Sequence, residues 1–145
     1  MEDILNYNKR EQLYKWLIDD FGLTKVEERY NDKAFGNFFI TLSASDFLAK
    51  YVNDRSYLTI IIASHTEPSK WYDLSFIKDY IYNPDNINSE DQPDNNIRIE
   101  ELNSFLKKDF YLISDLFNKE NYADTRRKID KLLKDKFIKD HPGMI

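Results

Sequence analysis

The 145-residue chain has no cysteine, which excludes disulfides, thiolate nucleophiles and thiolate metal sites together. Its two histidines, His65 and His141, are far apart. Neither has a second histidine or a carboxylate at ligand spacing, so no metal motif is present. The three glycines, Gly22, Gly36 and Gly143, are scattered. Phosphate loops and dinucleotide-binding turns need clustered glycines so that backbone can approach phosphate closely, and both are therefore set aside. No GxSxG elbow occurs. Ser64 adjoins His65 only in sequence, and neighbouring strand residues point to opposite faces. The reading is of a protein with no cofactor, no metal and no enzymatic step. The longest apolar run, Ile60–Ala63, is far shorter than the ~20 residues a membrane helix needs. The opening "MEDILNYNKREQLYKW" is charged and unlike a signal peptide. A soluble, cytoplasmic protein with no membrane role is expected.

What is present points to a folded domain. Hydrophobic residues make up 41% and aromatics 15%, too rich for a disordered chain. One α+β domain spanning 1–145 is expected; a chain of this length buries roughly 70% of its unfolded surface. The net charge of −5 is unevenly spread. Residues 83–97 hold four acids, Asp85, Glu90, Asp91 and Asp94, and no Lys or Arg, whereas 98–145 carry a net +2. The acidic balance weighs against nucleic acid, whose phosphates need neutralising, and suits a basic protein partner.

Periodicity divides the chain. Leu13, Trp16 or Leu17, and Phe21 recur at helical spacing, with Ile4 and Leu5 ahead of them and Gly22 as a stop. "KVEERY" alternates, placing Val26, Glu28 and Tyr30 on one side of a strand and Lys25, Glu27 and Arg29 on the other. Three further strands are predicted at Asn37–Ser43, Phe47–Val52 and Tyr57–Ala63, joined by short hairpins through Ala44-Ser45-Asp46 and the polar tetrad Asn53–Ser56. After Pro68, "SKWYDLSFIKDYIY" reads as a helix in which Trp71, Leu74, Ile77 and Ile81 share a face and Ser69 or Asp73 caps the start. Residues 83–97 form an acidic, flexible loop. A five-turn helix follows from Arg98 to Phe117, broken at Asn118, then a last helix whose stripe is Ile129, Leu132, Leu133 and Phe137. The predicted architecture is an antiparallel four-stranded meander with helices on one face, in the order α-β-β-β-β-α-α-α.

The hairpins give a test of register. Pairing Val52 with Tyr57 and Leu42 with Phe47 collects Phe38, Ile40, Leu42, Phe47, Ala49, Tyr51, Leu58, Ile60 and Ile62 on one face with no charge. Two independent hairpins agreeing on one face is what a fixed register requires. The opposite face carries Phe39, Leu48, Val52, Tyr57 and Ile61 among Thr41, Ser43, Lys50 and Thr59, more apolar than a solvated face needs to be.

Other clusters have plain explanations. Asp19-Asp20, Glu27-Glu28 and Glu100-Glu101 sit where solvated faces or helix first turns account for them. Arg127, Lys131 and Lys134 lie opposite the apolar stripe of the last helix, diluted by Asp124, Asp130, Asp135 and Asp140. Trp71 and Tyr72, side-chain types common at interface hot spots, adjoin Leu74 and Ile77 and are read as partly core.

The segment "FLAKYVNDRSYLTIIIAS…WYDLSFIKDYIY", a short sheet followed by a helix with Trp at its start, resembles the small acidic immunity proteins of bacterial polymorphic-toxin and contact-dependent inhibition systems. That resemblance implies occlusion of a cognate toxin without chemistry, and it transfers no binding residues. The reading is thus a non-enzymatic protein-binding protein. Its candidate contacts are Asp85, Glu90, Asp91 and Asp94 on the loop, and Phe39, Leu48, Val52, Tyr57 and Ile61 on the outer sheet face. The alternatives are a homodimer through that face, or an enzyme or small-ligand binder with an unfamiliar site.

Overall fold

The computed structural model describes residues 7–31, 37–55, 57–87, 98–140 and 143. Helix α1 (Tyr7–Phe21) leads into β1 (Thr24–Asn31), β2 (Asn37–Ser43), β3 (Phe47–Asp54), β4 (Tyr57–Ser64) and a two-residue β5 (Tyr72–Asp73). Then come α2 (Leu74–Tyr82), a 3₁₀ turn at Pro84–Asn86, α3 (Ile99–Lys108), α4 (Phe110–Phe117) and α5 (Tyr122–Asp140). The five strands form one antiparallel sheet in chain order. The protein is α+β, as the patterning predicts, with a fifth strand that the patterning missed.

Gly22 ends α1. Its φ of 73° suits a residue without Cβ, and it lets the N–H groups of Gly22 and Leu23 reach the carbonyls of Ile18 and Leu17 at 3.1 and 3.2 Å. Ile4 and Leu5, expected to support this helix, lie outside the described residues.

Both hairpins are shifted from the expected register. Tyr57 pairs with Asp54 rather than Val52, and Leu42 pairs with Ala49 rather than Phe47. β3 therefore runs two residues further, to Asp54, and leaves a two-residue connection to β4, whereas the β2–β3 connection keeps the three residues 44–46. Arg55, at φ 55°, opens the β3–β4 turn, and the Ala44 N–H bonds the Phe47 carbonyl at 2.8 Å across the β2–β3 turn. The two-residue β3–β4 connection matches the right-handed twist of the strands it joins. Both slips are by two residues, so every side chain keeps its face. Phe38, Ile40, Leu42, Phe47, Ala49, Tyr51, Ile60 and Ile62 are all buried, and Leu58 is half-buried.

β1 departs from simple alternation. A bulge at Val26 shifts the register between Lys25 and Glu27. Lys25 therefore joins Glu28 and Tyr30 on the inner side, and its Nζ meets Glu28 Oε1 at 2.8 Å. Arg10 of α1, almost buried, lies 4.2 Å over the Tyr30 ring and 3.8 Å from Glu28 Oε2.

The helices cover the charge-free face. Tyr14 of α1 packs on Tyr51, the Tyr51 hydroxyl donates to Asn103 Oδ1 of α3 at 2.6 Å, and Phe110 of α4 packs on Phe47. Burying a large apolar side chain here contributes about 1.5–3 kcal/mol.

Two helix expectations are corrected. The segment after Pro68 does not enter a helix at once: Trp71 precedes it, Tyr72 and Asp73 pair with Ile62 and Ile61, and α2 begins at Leu74. Asp73 is the N-cap, accepting from Ser75 N–H at 3.0 Å and Ser75 Oγ at 2.6 Å. The predicted five-turn helix is interrupted at Asp109, whose ψ of 22° separates α3 from α4. The Asp109 carboxylate accepts from the Tyr82 hydroxyl at 2.8 Å. Among the described residues, no helix is long and apolar enough to cross a membrane.

Candidate interaction surface

The register fixes which side chains share the outer face. Phe39 stands opposite Val52, Val52 opposite Thr59, Thr41 opposite Lys50, Lys50 opposite Ile61, and Ser43 opposite Leu48. Tyr57 sits at the hairpin end opposite Asp54. Phe39, Leu48, Val52, Tyr57 and Ile61 are each half-buried. The helix–sheet contacts described above all reach inner-facing side chains.

Lys50 is the centre of this patch. It lies between Leu48 and Val52 along β3 and between Thr41 and Ile61 across the sheet. Its Nζ is 4.7 Å from the Phe39 ring and 4.7 Å from the Trp71 ring, an ammonium held between two aromatic faces. Trp71 reaches it because the chain turns through Glu67–Lys70 and then pairs as strand at Tyr72–Asp73 rather than entering a helix. Helical periodicity placed Trp71 on the α2 core face and so concealed this contact. Thr41 Oγ1 is buried with no hydrogen-bond partner. The charges around the patch are engaged: Arg29 pairs with Glu27 at 3.3 Å, Arg55 with Asp54 at 3.9 Å, and Asp73 accepts from Thr59 Oγ1 at 3.3 Å as well as from Ser75.

Asp85 is exposed on the 3₁₀ turn that follows α2, in the helical layer. Glu90, Asp91 and Asp94 lie outside the described residues.

The remaining candidate chemistry resolves into structure. His65 Nε2 is 2.7 Å from the Ala44 carbonyl, which only accepts, so this nitrogen carries the proton. It is therefore no base for Ser43 Oγ at 3.2 Å. Ser64 is fully buried and donates to the Phe117 carbonyl at 2.8 Å. Glu27 and Glu28 point to opposite faces. On α5, Lys128 pairs with Asp124, Lys131 with Asp135 and Lys136 with Asp140, while Arg127 also bonds Asp124. The basic stripe is thus substantially neutralised along its own helix. No group of three or more His, Asp or Glu able to hold a metal is found among the described residues.

One polar network spans elements distant in sequence. Tyr72 and Tyr122 share a hydroxyl contact of 3.3 Å, and the Tyr122 hydroxyl donates to Glu67 Oε1 at 2.6 Å. Arg126 donates to the same oxygen at 2.5 Å. The hydrogen bond from Tyr122, then that from Arg126, holds the Glu67 carboxyl below its ordinary range. Burial, then the bond to Glu67, pushes Tyr122 up. An open groove of about 500 Å³ between α2 and α3 is lined by Tyr82, Phe105, Lys78, Lys108, Glu100 and Asp109. Its two cations and its acids are interleaved, and Tyr82 already occupies Asp109.

Patterning also missed exposed apolar side chains away from the sheet's outer face: Val26 and Tyr30 on β1, Tyr82 on α2, Tyr111 and Leu112 on α4, and Phe137 on α5. Tyr111, 72% exposed, had no sequence signal, since a helix stripe does not say where its packing ends. Comparison with protein-family models, with curated proteins and with solved structures finds no match to this chain.

Proposed function

We propose that this chain is a non-enzymatic protein-binding protein that engages its partner with the outer face of the sheet. The supporting observation is the patch itself: half-buried Phe39, Leu48, Val52, Tyr57 and Ile61 surround a single lysine on the face opposite the helices. Such a surface gives apolar area for affinity and one fixed charge for specificity. In its specific form the partner is a bacterial toxin domain and the chain acts by occlusion, with Asp85 and the acids beyond it attracting a basic rim. Homodimerisation through the same patch is the competing use, and it places Lys50 next to its own copy.

The test is affinity capture from the source lysate by the wild type and by Leu48→Asp and Val52→Asp variants, with thermal melts to establish folding. A captured protein retained by the wild type and lost by both variants supports the reading. Identical capture by all three overturns it.

A further inference from the structure

We infer that the partner of the outer face presents a carboxylate, set in an apolar surface, to Lys50 Nζ, and that it is a different polypeptide rather than a second copy of this chain. This deepens the protein-binding reading and rests on it.

The inference starts from what Lys50 already touches. The Phe39 and Trp71 rings flank its ammonium at 4.7 Å each, and it forms no ion pair among the described residues. The acids nearest in the sheet register are engaged elsewhere: Glu27 with Arg29, Asp54 with Arg55, and Asp73 with Ser75 and Thr59. Aromatic faces attract a cation, but they offer no hydrogen-bond acceptor of carboxylate strength. A wholly apolar partner would strip water from the ammonium and return nothing, which is the costly arrangement for a buried charge. A partner carboxylate supplies the missing countercharge while both ring contacts persist.

Symmetry argues against a second copy. A two-fold face-to-face contact brings the centre of the patch onto itself, and that centre is Lys50. Two like charges would be desolvated together, while among the described residues the acids nearest in the register are already paired within each copy. The area is small for a partner of either kind. Four strands at roughly 4.8 Å spacing and seven residues at roughly 3.3 Å rise present about 450 Å² per side. The total of about 900 Å² falls short of the ~1,200 Å² at which stable interfaces begin. An interface this small needs a charged anchor more than it needs symmetry.

The experiment pans a random dodecapeptide display library on immobilised wild-type, Lys50→Glu, Lys50→Met and Leu48→Asp proteins. The selected peptides are then synthesised and titrated against each protein. The expected wild-type binders share an Asp or Glu flanked by apolar residues, and they bind Lys50→Glu roughly tenfold more weakly, with affinity falling as salt rises. Exchanging that acid for Lys should restore binding to Lys50→Glu. Lys50→Met, which keeps an apolar stem, should select peptides with no acidic preference. Wild-type binders without an acid, or equal affinity for Lys50→Glu, overturn the inference and leave the docking face standing if Leu48→Asp still abolishes binding. Binders indifferent to Leu48→Asp, or no binders at all, overturn the docking face itself. A wild-type dimer in sedimentation equilibrium that Leu48→Asp dissociates overturns the claim of a different polypeptide.

Discussion

Glu67, in the connection between β4 and β5, receives the Arg126 guanidinium of α5 at 2.5 Å on the same oxygen that accepts from Tyr122. One carboxylate oxygen therefore joins the last helix to the last turn of the sheet. Because these bonds favour the charged form, Glu67 has a folded-state pKa below its ordinary value of 4.5. Its stabilisation is complete above that value and is lost as pH falls through the folded pKa. Glu67→Gln should cost roughly 1 kcal/mol at neutral pH after solvent screening. The gap from the wild type should close progressively below about pH 4.5. Urea unfolding at a series of pH values checks this; a pH-independent gap would exclude the charge from the effect.

Tyr51 → Asn103 is the one-way bond that fixes α3 on the sheet: the hydroxyl donates at 2.6 Å, while Asn103 Nδ2 donates onward to the Leu13 carbonyl of α1 at 3.3 Å. Burial pushes the Tyr51 hydroxyl far up, so it stays a donor at any ordinary pH. Tyr51→Phe should destabilise by about 1–2 kcal/mol, because the Asn103 oxygen is left without its donor. Denaturant titration of the single and Asn103→Ala double variants would give the coupling between them.

Ile60 and Ile61 are chain neighbours on opposite faces, Ile60 fully buried and Ile61 half-buried beside Lys50. Ile60→Ala should cost about 2–5 kcal/mol through the cavity it leaves. Ile61→Ala should cost about 1 kcal/mol or less. Comparable losses in thermal melts would contradict the assignment of faces.

Arg55 holds a left-handed conformation at φ 55°, which costs a residue with Cβ about 1–2 kcal/mol. Among the described residues its side chain makes only a long ion pair with the adjacent Asp54, at 3.9 Å. Arg55→Gly should therefore raise the melting temperature, by roughly 0.5–1 kcal/mol in stability. Differential scanning calorimetry reads the sign directly.

The faces of the central strands were legible because alternation is a strong, local signal, and Phe38, Ile40, Tyr51 and Ile62 obeyed it. The turns were not, since the polar residues Asn53 and Asp54 look like loop but extend β3, their backbones paired with Leu58 and Tyr57. The β1 bulge was hidden because lysine and valine alternate acceptably in either phase, and only the partner strand shows that Val26 is the extra residue. β5 was illegible for a different reason. Two residues carry no period, and Tyr72-Asp73 pairs because the Ser64–Lys70 connection folds back on β4 through bonds from Glu67 to Ser64 and from Lys70 to Glu67. For the candidate surface, the five apolar residues could be read from sequence. The aromatic pair around Lys50 could not, because Phe39 of β2 and Trp71 before β5 are separated in sequence by two whole strands.

The short hairpins of the meander have a consequence for how this sequence can diverge. Lengthening or shortening either hairpin by an even number of positions moves the loop along a ladder whose rungs repeat every second residue, and the interior keeps its membership. An odd indel in β3 would reverse the parity of everything beyond it, carrying Lys50 inward and Tyr51 outward. Natural variants of this chain should therefore differ in hairpin length by pairs.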